Sequence, residues 1–437
     1  KNKNIFTFNL QYLFIVGLWP FEDLSRTRRI LYKLYETTIC VTSVTLFIIT
    51  GIGMYQTRSD ITLFLSNLDK FLIVFNFFCK AIAFTINREQ LRTLIKQIEQ
   101  SGDKVSEERK ELTAKYVILI TVISLLIFMA FTVLALFEGV MTFDAWMPFD
   151  PMESQINLII ASQILGVLYV PCLIRGFAMK ALVCSLTIYL CEQLDKLQED
   201  IKMLEYSEER EMEVRRKFKK IVKNHVRFMG YSKSMEIIFK EYFLIQNLAV
   251  SMEICLNAVL MTVVGARQIS LLIMLLAYLS CALVNAYIYC YLGNELMIKS
   301  EGIALAAYES SWITWPVDLQ KDLLILITAA QRPFKLSAAG ITLLTIEAFS
   351  QVMYEKDSSH IQVATERVYF FFKTYLYNSN TISFGGNLKN KRCYRDTAVG
   401  RFHKSTKFIV LQLSHKADSF RFTKLQKNSI PFLFHLV

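Results

Sequence analysis

The chain has 437 residues, 53% of them hydrophobic and 20% charged, with a mean hydropathy of +0.34 and a formal charge of +11. That is too apolar for an ordinary soluble domain of this length. The positive charge does not signal nucleic acid, because the basic residues fall in connections between long apolar stretches, where they face anionic lipid.

Residues 1–33 form a short lead, amphipathic around Phe14, Ile15 and Val16 and closed by Gly17-Leu18-Trp19-Pro20. Taken alone, that tetrapeptide reads as an interfacial aromatic followed by a helix breaker. Seven apolar stretches follow, at about Leu34–Tyr55, Ile61–Ile86, Tyr116–Met141, Leu158–Tyr189, Phe243–Val264, Ile269–Leu292 and Leu336–Tyr354. Each meets or approaches the roughly 20 apolar residues needed to cross a ~30 Å hydrocarbon core. The expected architecture is an all-α polytopic membrane protein with seven transmembrane helices over residues 34–354.

The connections differ in kind. Residues 87–115 carry Leu91, Leu94, Ile95 and Ile98 at helical spacing, so a helix is expected there. Residues 191–242 keep a helical period through Leu194, Leu197, Ile201 and Leu204, then again through Phe218, Ile221, Val222, His225, Phe228 and Met229. The fourth and fifth spans therefore run on as helices beyond the membrane, and their apolar face must bury against the same chain or another subunit. Between residues 294 and 335 two more amphipathic pieces, about Asn294–Trp312 and Asp318–Ala330, are split by Trp315-Pro316, and Arg332-Pro333 breaks the chain before the last span.

Charge fixes an expected orientation. The lead carries Lys1, Lys3, Arg26, Arg28, Arg29 and Lys33, and the second, fourth and sixth connections are likewise rich in Lys and Arg. The first, third and fifth connections offer Arg58, none, and Arg267. Lys and Arg stay on the cytoplasmic side, which puts the N-terminus inside and, after seven crossings, the C-terminus outside. A G-protein-coupled receptor needs the opposite. No cleavable signal is recognisable, and the natural N-terminus is expected upstream of Lys1, with the first span as targeting signal.

Enzyme signatures are absent: there is no GxSxG, HExxH, P-loop or CxxC, and His225, His360, His403, His415 and His435 do not cluster as metal ligands. No cofactor, no metal and no catalytic residue is expected. Most cysteines lie in or beside spans, where a free thiol behaves as a small hydrophobe. Ionisable residues inside spans are functional candidates. Lys80, Lys180 and Arg175 read most simply as snorkelling to the inner headgroups. Asp69-Lys70 reads equally as an internal pair or the wall of a wet cavity, and Glu253 with Asn257 as a contact between helices. An apolar, aromatic cavity between helices would suit a small hydrophobic molecule. Outer-half candidates are Phe64, Leu68 and Phe71, Phe131 and Phe137, Ile156, Ile160 and Ile164, and Leu275 and Tyr278, with Phe71, Phe137 and Tyr278 foremost. Each also reads as ordinary helix packing.

Several local patterns together resemble the insect odorant receptor family. They are Gly17-Leu18-Trp19-Pro20; Glu253-Ile254-Cys255; Tyr289-Cys290-Tyr291-Leu292-Gly293-Asn294-Glu295 with Ser300, Ala307-Tyr308, Ser310 and Trp312; and Gln331-Arg332-Pro333 with Leu336, Ala339-Gly340, Glu347 and Phe349. Gustatory receptors, the alternative of like topology, end on a Thr-Tyr…Gln-Phe pattern that is missing here. The resemblance implies a ligand-gated, non-selective cation channel in the plasma membrane of the olfactory sensory neuron dendrite. It implies a heterotetramer with the shared odorant co-receptor and a volatile ligand held among the second, third, fourth and sixth spans. The pore would be lined by the last span, through Leu343, Ile346, Phe349, Ser350 and Met353. Subunits would pack through the extensions, at Phe218, Ile221, Phe228, Tyr308, Trp312, Arg332 and Pro333. Lacking the co-receptor's long insertion after the fourth span, the chain resembles a tuning subunit.

The C-terminal region departs from that pattern. After Met353-Tyr354 come Glu355-Lys356-Asp357, and residues 355–437 carry fourteen Lys and Arg with no sustained period. Each charge at mid-bilayer costs about 2.5–3.5 kcal/mol on insertion scales. The expectation is a tail from a retained intron or misassigned last exon.

Overall fold

The structure, a computed structural model, describes residues 6–353 apart from 23, 104, 142–143 and 265–268, and leaves some side chains within those helices undescribed. In order, the elements are α1 (Thr7–Ile15), α2 (Arg26–Gln56), α3 (Ile61–Ile86), α4 (Arg88–Gln100), α5 (Glu107–Glu138), α6 (Gln155–Lys202), α7 (Glu211–Val264), α8 (Ile269–Tyr308), α9 (Val317–Ala330), the two-residue strands β1 (Ser337–Ala338) and β2 (Thr342–Leu343), and α10 (Ile346–Met353). α2, residues 117–138 of α5, and α6 each hold a stretch long and apolar enough to cross a membrane. Large apolar side chains left exposed on these helices, such as Val41, Leu126 and Val167, are what a lipid-facing surface requires.

The described residues fall into two compact units: those up to residue 250 with 283–349, and those in 251–282 with 350–353. In the second, the Asn257 amide turns back on its own helix and donates to the Glu253 carbonyl at 2.8 Å. The first unit holds two apolar cores. The larger joins α1, α4 and α9 to the extended ends of α6, α7 and α8. At 48 residues α6 is about 72 Å long, more than twice the membrane's hydrocarbon thickness. Its final turns, through Leu190, Leu194, Leu197 and Ile201, lie in this core. On α4, Leu91, Leu94, Ile95 and Ile98 are all buried against it, as their i, i+3, i+4, i+7 spacing demands.

Ion pairs tie the extensions together around that core. Arg215 on α7 reaches Asp318 on α9 at 2.5 Å, Lys299 on α8 reaches Asp195 on α6 at 2.7 Å, and Arg227 reaches Asp103 at 2.8 Å. Hydrogen bonding from Arg215 holds the Asp318 carboxyl below the usual carboxylate range.

Three readings of the sequence are corrected. Trp19 is not an interfacial aromatic: it is buried in the larger core under the Arg92 guanidinium, 5.3 Å from its ring. Gly17, with φ of +73°, ends α1, and Leu18 N–H returns to the Leu13 carbonyl at 2.9 Å. Lys80, Arg175 and Lys180 do not snorkel. All three are buried, Lys80 donating to Gln246, Lys180 to Asn285, and Arg175 to Ser43 at 3.5 Å. The stretch from Leu336 is not helical at its start. Leu344 N–H donates to the Leu336 carbonyl at 2.9 Å across the β1–β2 hairpin, whose turn places Ala339 and Gly340 at positive φ. Helix begins again at Ile346, so the described part of the last span is α10.

Candidate functional site

The smaller core of the first unit lies among α2, α3, α5 and α6 and is built of apolar and aromatic side chains. Leu46 and Ile49 come from α2, Val74 from α3, Phe128 from α5, and Ala161, Leu165 and Tyr169 from α6. Phe128 and Tyr169 stack with centroids 4.8 Å apart. On the α2–α3 side, Phe47 meets Phe71 at 5.1 Å and stacks on Phe78 at 5.2 Å. Gly176 lets α6 close on α3, since a Cβ there would run into the Phe77 ring. On the helices that supply it, Ser162 Oγ of α6 and Asn76 Oδ1 of α3 are buried without a hydrogen-bond partner among the described residues.

The roof of this core is the connection between α5 and α6. Ala145 and Met147 are buried members of the cluster, and Phe149 packs against it. Trp146 N–H donates to the Ile49 carbonyl at 2.9 Å, and Asn67 on α3 donates to the Asp144 carboxylate at 3.1 Å.

The candidates from sequence divide by position. Phe64 and Leu68 are buried on α3, Phe71 joins the Phe47 contacts, and Phe131 is partly buried. Phe137 is 85% exposed, and Ile156, Ile160 and Ile164 also face outward from the unit. Leu275 and Tyr278 lie on α8, with side chains outside the described ones. Phe128, Tyr169, Ala145 and Met147 went unnoticed in the sequence. The first two sit deeper than the outer turns of their helices, and the loop pair has no helical period to betray it.

Of the pore candidates, Leu343 lies in β2, while Ile346, Phe349, Ser350 and Met353 lie on α10; the Met353 side chain is outside the described ones. Phe349 meets Tyr287 edge-on at 5.6 Å. Of the subunit-contact candidates, Phe218, Ile221 and Phe228 are buried in the chain's own larger core, Phe218 against Trp315 at 5.8 Å. Their apolar stripe is thus satisfied internally. Tyr308 and Arg332 are exposed, and Trp312 and Pro333 are partly buried. Exposed apolar surface continues around Tyr308 in sequence, at Leu305, Ile313 and Val317 and then Leu324 and Ile325.

A separate cleft of about 400 Å³ opens on the α6 extension, lined by Ser106, Glu192, Asp195, Lys196, Gln198, Glu199 and Lys202. Its charged walls do not suit an apolar ligand. Among the described residues no group of His, Cys, Asp and Glu is placed to hold a metal.

Comparison with known proteins bears on the family and the fold. The family model described as 7tm Odorant receptor matches residues 60–354. Odorant receptor 30a of Drosophila melanogaster is 30% identical over 119 residues, 27% of this chain and 31% of that protein. Odorant receptor Or2 of Anopheles gambiae is 24% identical over 135 residues, 31% of this chain and 35% of that protein. These two alignments span about a third of each relative's length. Odorant receptor 13a of Drosophila melanogaster is 24% identical over 390 residues, 78% of this chain and 91% of that protein. Among solved structures, the olfactory receptor OR5 from Machilis hrabei has a TM-score of 0.68 at 16% identity, covering 81% of this chain and 96% of that one. The same receptor in complex with eugenol gives 0.64 at 16% identity, over 82% and 95%. At that identity the likeness speaks for the fold, which is the mostly helical, seven-transmembrane fold.

Proposed function

This chain belongs to the 7tm odorant receptor family of insects, and on that premise we propose that it is a tuning subunit that binds a small volatile ligand in the core among α2, α3, α5 and α6. The observation that carries the reading is the apolar, aromatic make-up of that core, with the Phe128–Tyr169 stack inside it and Ala145 and Met147 above it. The related receptor solved with eugenol binds a small, weakly polar aromatic, and the lining here suits the same class of molecule.

In this reading the subunit opens a non-selective cation channel only with the shared co-receptor. It sits in the plasma membrane of the sensory dendrite, N-terminus inside, and does no chemistry of its own. The exposed apolar side chains of Tyr308, Ile313, Val317, Leu324 and Ile325, close in sequence, support a heteromeric contact, because exposed apolar surface outside the membrane favours cover. α10 would contribute to the pore. Residues 355–437, all outside the described residues, would take no part in gating.

The test is a panel of volatiles on cells expressing this chain with the co-receptor. An odorant-evoked current whose midpoint shifts in Phe128→Ala and Tyr169→Ala supports the reading. A current that both variants leave unchanged moves the ligand site elsewhere.

A further inference from the structure

The connection between α5 and α6 is held to the outer end of α2 by backbone fit as well as by hydrogen bonds. A side chain at Gly53 would collide with the backbone of Asp144 and Ala145. The loop therefore lies directly on the helix, in a groove that only glycine leaves open. One turn earlier, Trp146 N–H donates to the Ile49 carbonyl at 2.9 Å. From α3, the buried Asn67 Nδ2 donates to Asp144 Oδ2 at 3.1 Å and also meets Thr57 Oγ1, at the end of α2, at 3.0 Å. Backbone seating, a backbone hydrogen bond and a carboxylate hydrogen bond thus fix three successive residues.

The seating has a geometric result. Alternation along the extended strap turns Trp146 outward, 41% exposed, and sends Ala145 and Met147 down into the core with Phe128 and Tyr169. Met147, with Ala145, comes from a loop into a core otherwise built from four helices. Its unbranched thioether is the side chain best able to reshape around different occupants.

We infer that the segment Asp144–Met147 is a latch over the ligand core: Met147 is a specificity-determining contact, and release of the Asn67–Asp144 and Gly53 seating admits and frees the ligand. The inference rests on the ligand site proposed above. It adds a prediction about kinetics that the site alone does not make. A residue that only lines a pocket changes midpoint and rank order of ligands. A latch residue that never touches ligand, such as Asn67 or Asp144, changes how fast ligand enters and leaves.

The experiment uses the full chain with the co-receptor, rapid odorant pulses and the current's rise and decay times. In Asn67→Ala and Asp144→Ala, loss of a hydrogen bond to a charged acceptor is expected to speed decay on the order of tenfold, with the ligand rank order retained. Gly53→Val should do the same more strongly, and a surface label reports whether it reaches the membrane. If it does not, the two milder variants decide. Met147→Ala and Met147→Trp should instead reorder the panel, the larger side chain excluding the bulkiest odorants. Unchanged decay in Asn67→Ala and Asp144→Ala, alongside a shifted midpoint in Phe128→Ala, overturns the latch and leaves the site standing. No shift in Phe128→Ala, Tyr169→Ala or either Met147 variant overturns the site itself.

Discussion

The hydroxyls of Tyr242 on α7 and Tyr289 on α8 lie 2.8 Å apart in a buried hydrogen bond, and each ring carries a lysine ammonium over its face. Lys80 Nζ stands 5.1 Å from the Tyr242 centroid and Lys180 Nζ 5.6 Å from that of Tyr289. With Gln246 and Asn285 as their hydrogen-bond acceptors, the two lysines knit α3, α6, α7 and α8 together through neutral partners and π-faces.

That geometry separates an internal lysine from a snorkelling one. A lysine that merely reaches the headgroups is replaced by Met at little cost. Here Lys180→Met should lower stability by about 1.5–3 kcal/mol, the usual worth of a hydrogen bond to a charged group. Tyr289→Phe, which deletes one hydroxyl of the pair, should cost about 1 kcal/mol. Thermal unfolding in detergent measures both, and a double-mutant cycle reports their coupling. Wild-type stability in Lys180→Met would restore the snorkelling account.

His225 on α7 is buried against the Phe334 ring at 5.9 Å, with Nε2 unpartnered among the described residues. Burial pushes its pKa below the ordinary 6.5. The unfolded chain therefore takes up a proton near pH 6.5 before the folded one does, and stability is lost as pH falls below that value. Unfolding midpoints should drop between pH 7.5 and 5.5, and His225→Phe should flatten that part of the profile. A profile that His225→Phe does not change would place the pH dependence on other groups.

Exposure sorts the aromatic candidates. Phe128 is buried in the smaller core and Phe137 is 85% exposed on the same helix. Phe128→Ala removes a buried aromatic, an effect of about 1.5–3 kcal/mol on area alone, whereas Phe137→Ala should leave both folding and the odorant midpoint within experimental error. Dose–response curves for the two variants make the comparison. A larger shift from Phe137→Ala would put the ligand on the outward face of α5, between subunits or against lipid.

The family match ends at residue 354, immediately before Glu355-Lys356-Asp357. Sequencing the antennal transcript should yield an mRNA that diverges from this sequence near that codon. Abundant message reading through to Val437, with current from its product, would make the tail a genuine part of the receptor.

The helical body was legible because its signals are periodic. The α4 stripe from Leu91 to Ile98 and the run from Leu194 to Ile201 admit only one helical face, and both faces are buried as read. What escaped was set by partners distant in sequence. The stretch from Leu336 to Leu344 is apolar enough for a span, yet Ala339 and Gly340 at positive φ fold it into a hairpin. Nothing in the spacing of Lys80 or Lys180 announces Gln246 or Asn285. The latch residues Asp144, Ala145 and Met147 lie in a loop without a period, and their place is set by Gly53, Ile49 and Asn67, all distant in sequence. Phe218, Ile221 and Phe228 show the reverse limit: periodicity required cover for that face, and the structure supplies it from the same chain.

A ligand-reading subunit of a channel needs its partner to conduct and needs no G protein. The direct measurement is odorant-evoked current in excised patches without GTP, from cells expressing this chain, the co-receptor, or both. A non-selective cation current is expected only with both, with a ligand preference that Phe128→Ala shifts. Current that vanishes without GTP, or full current from this chain alone, would contradict it.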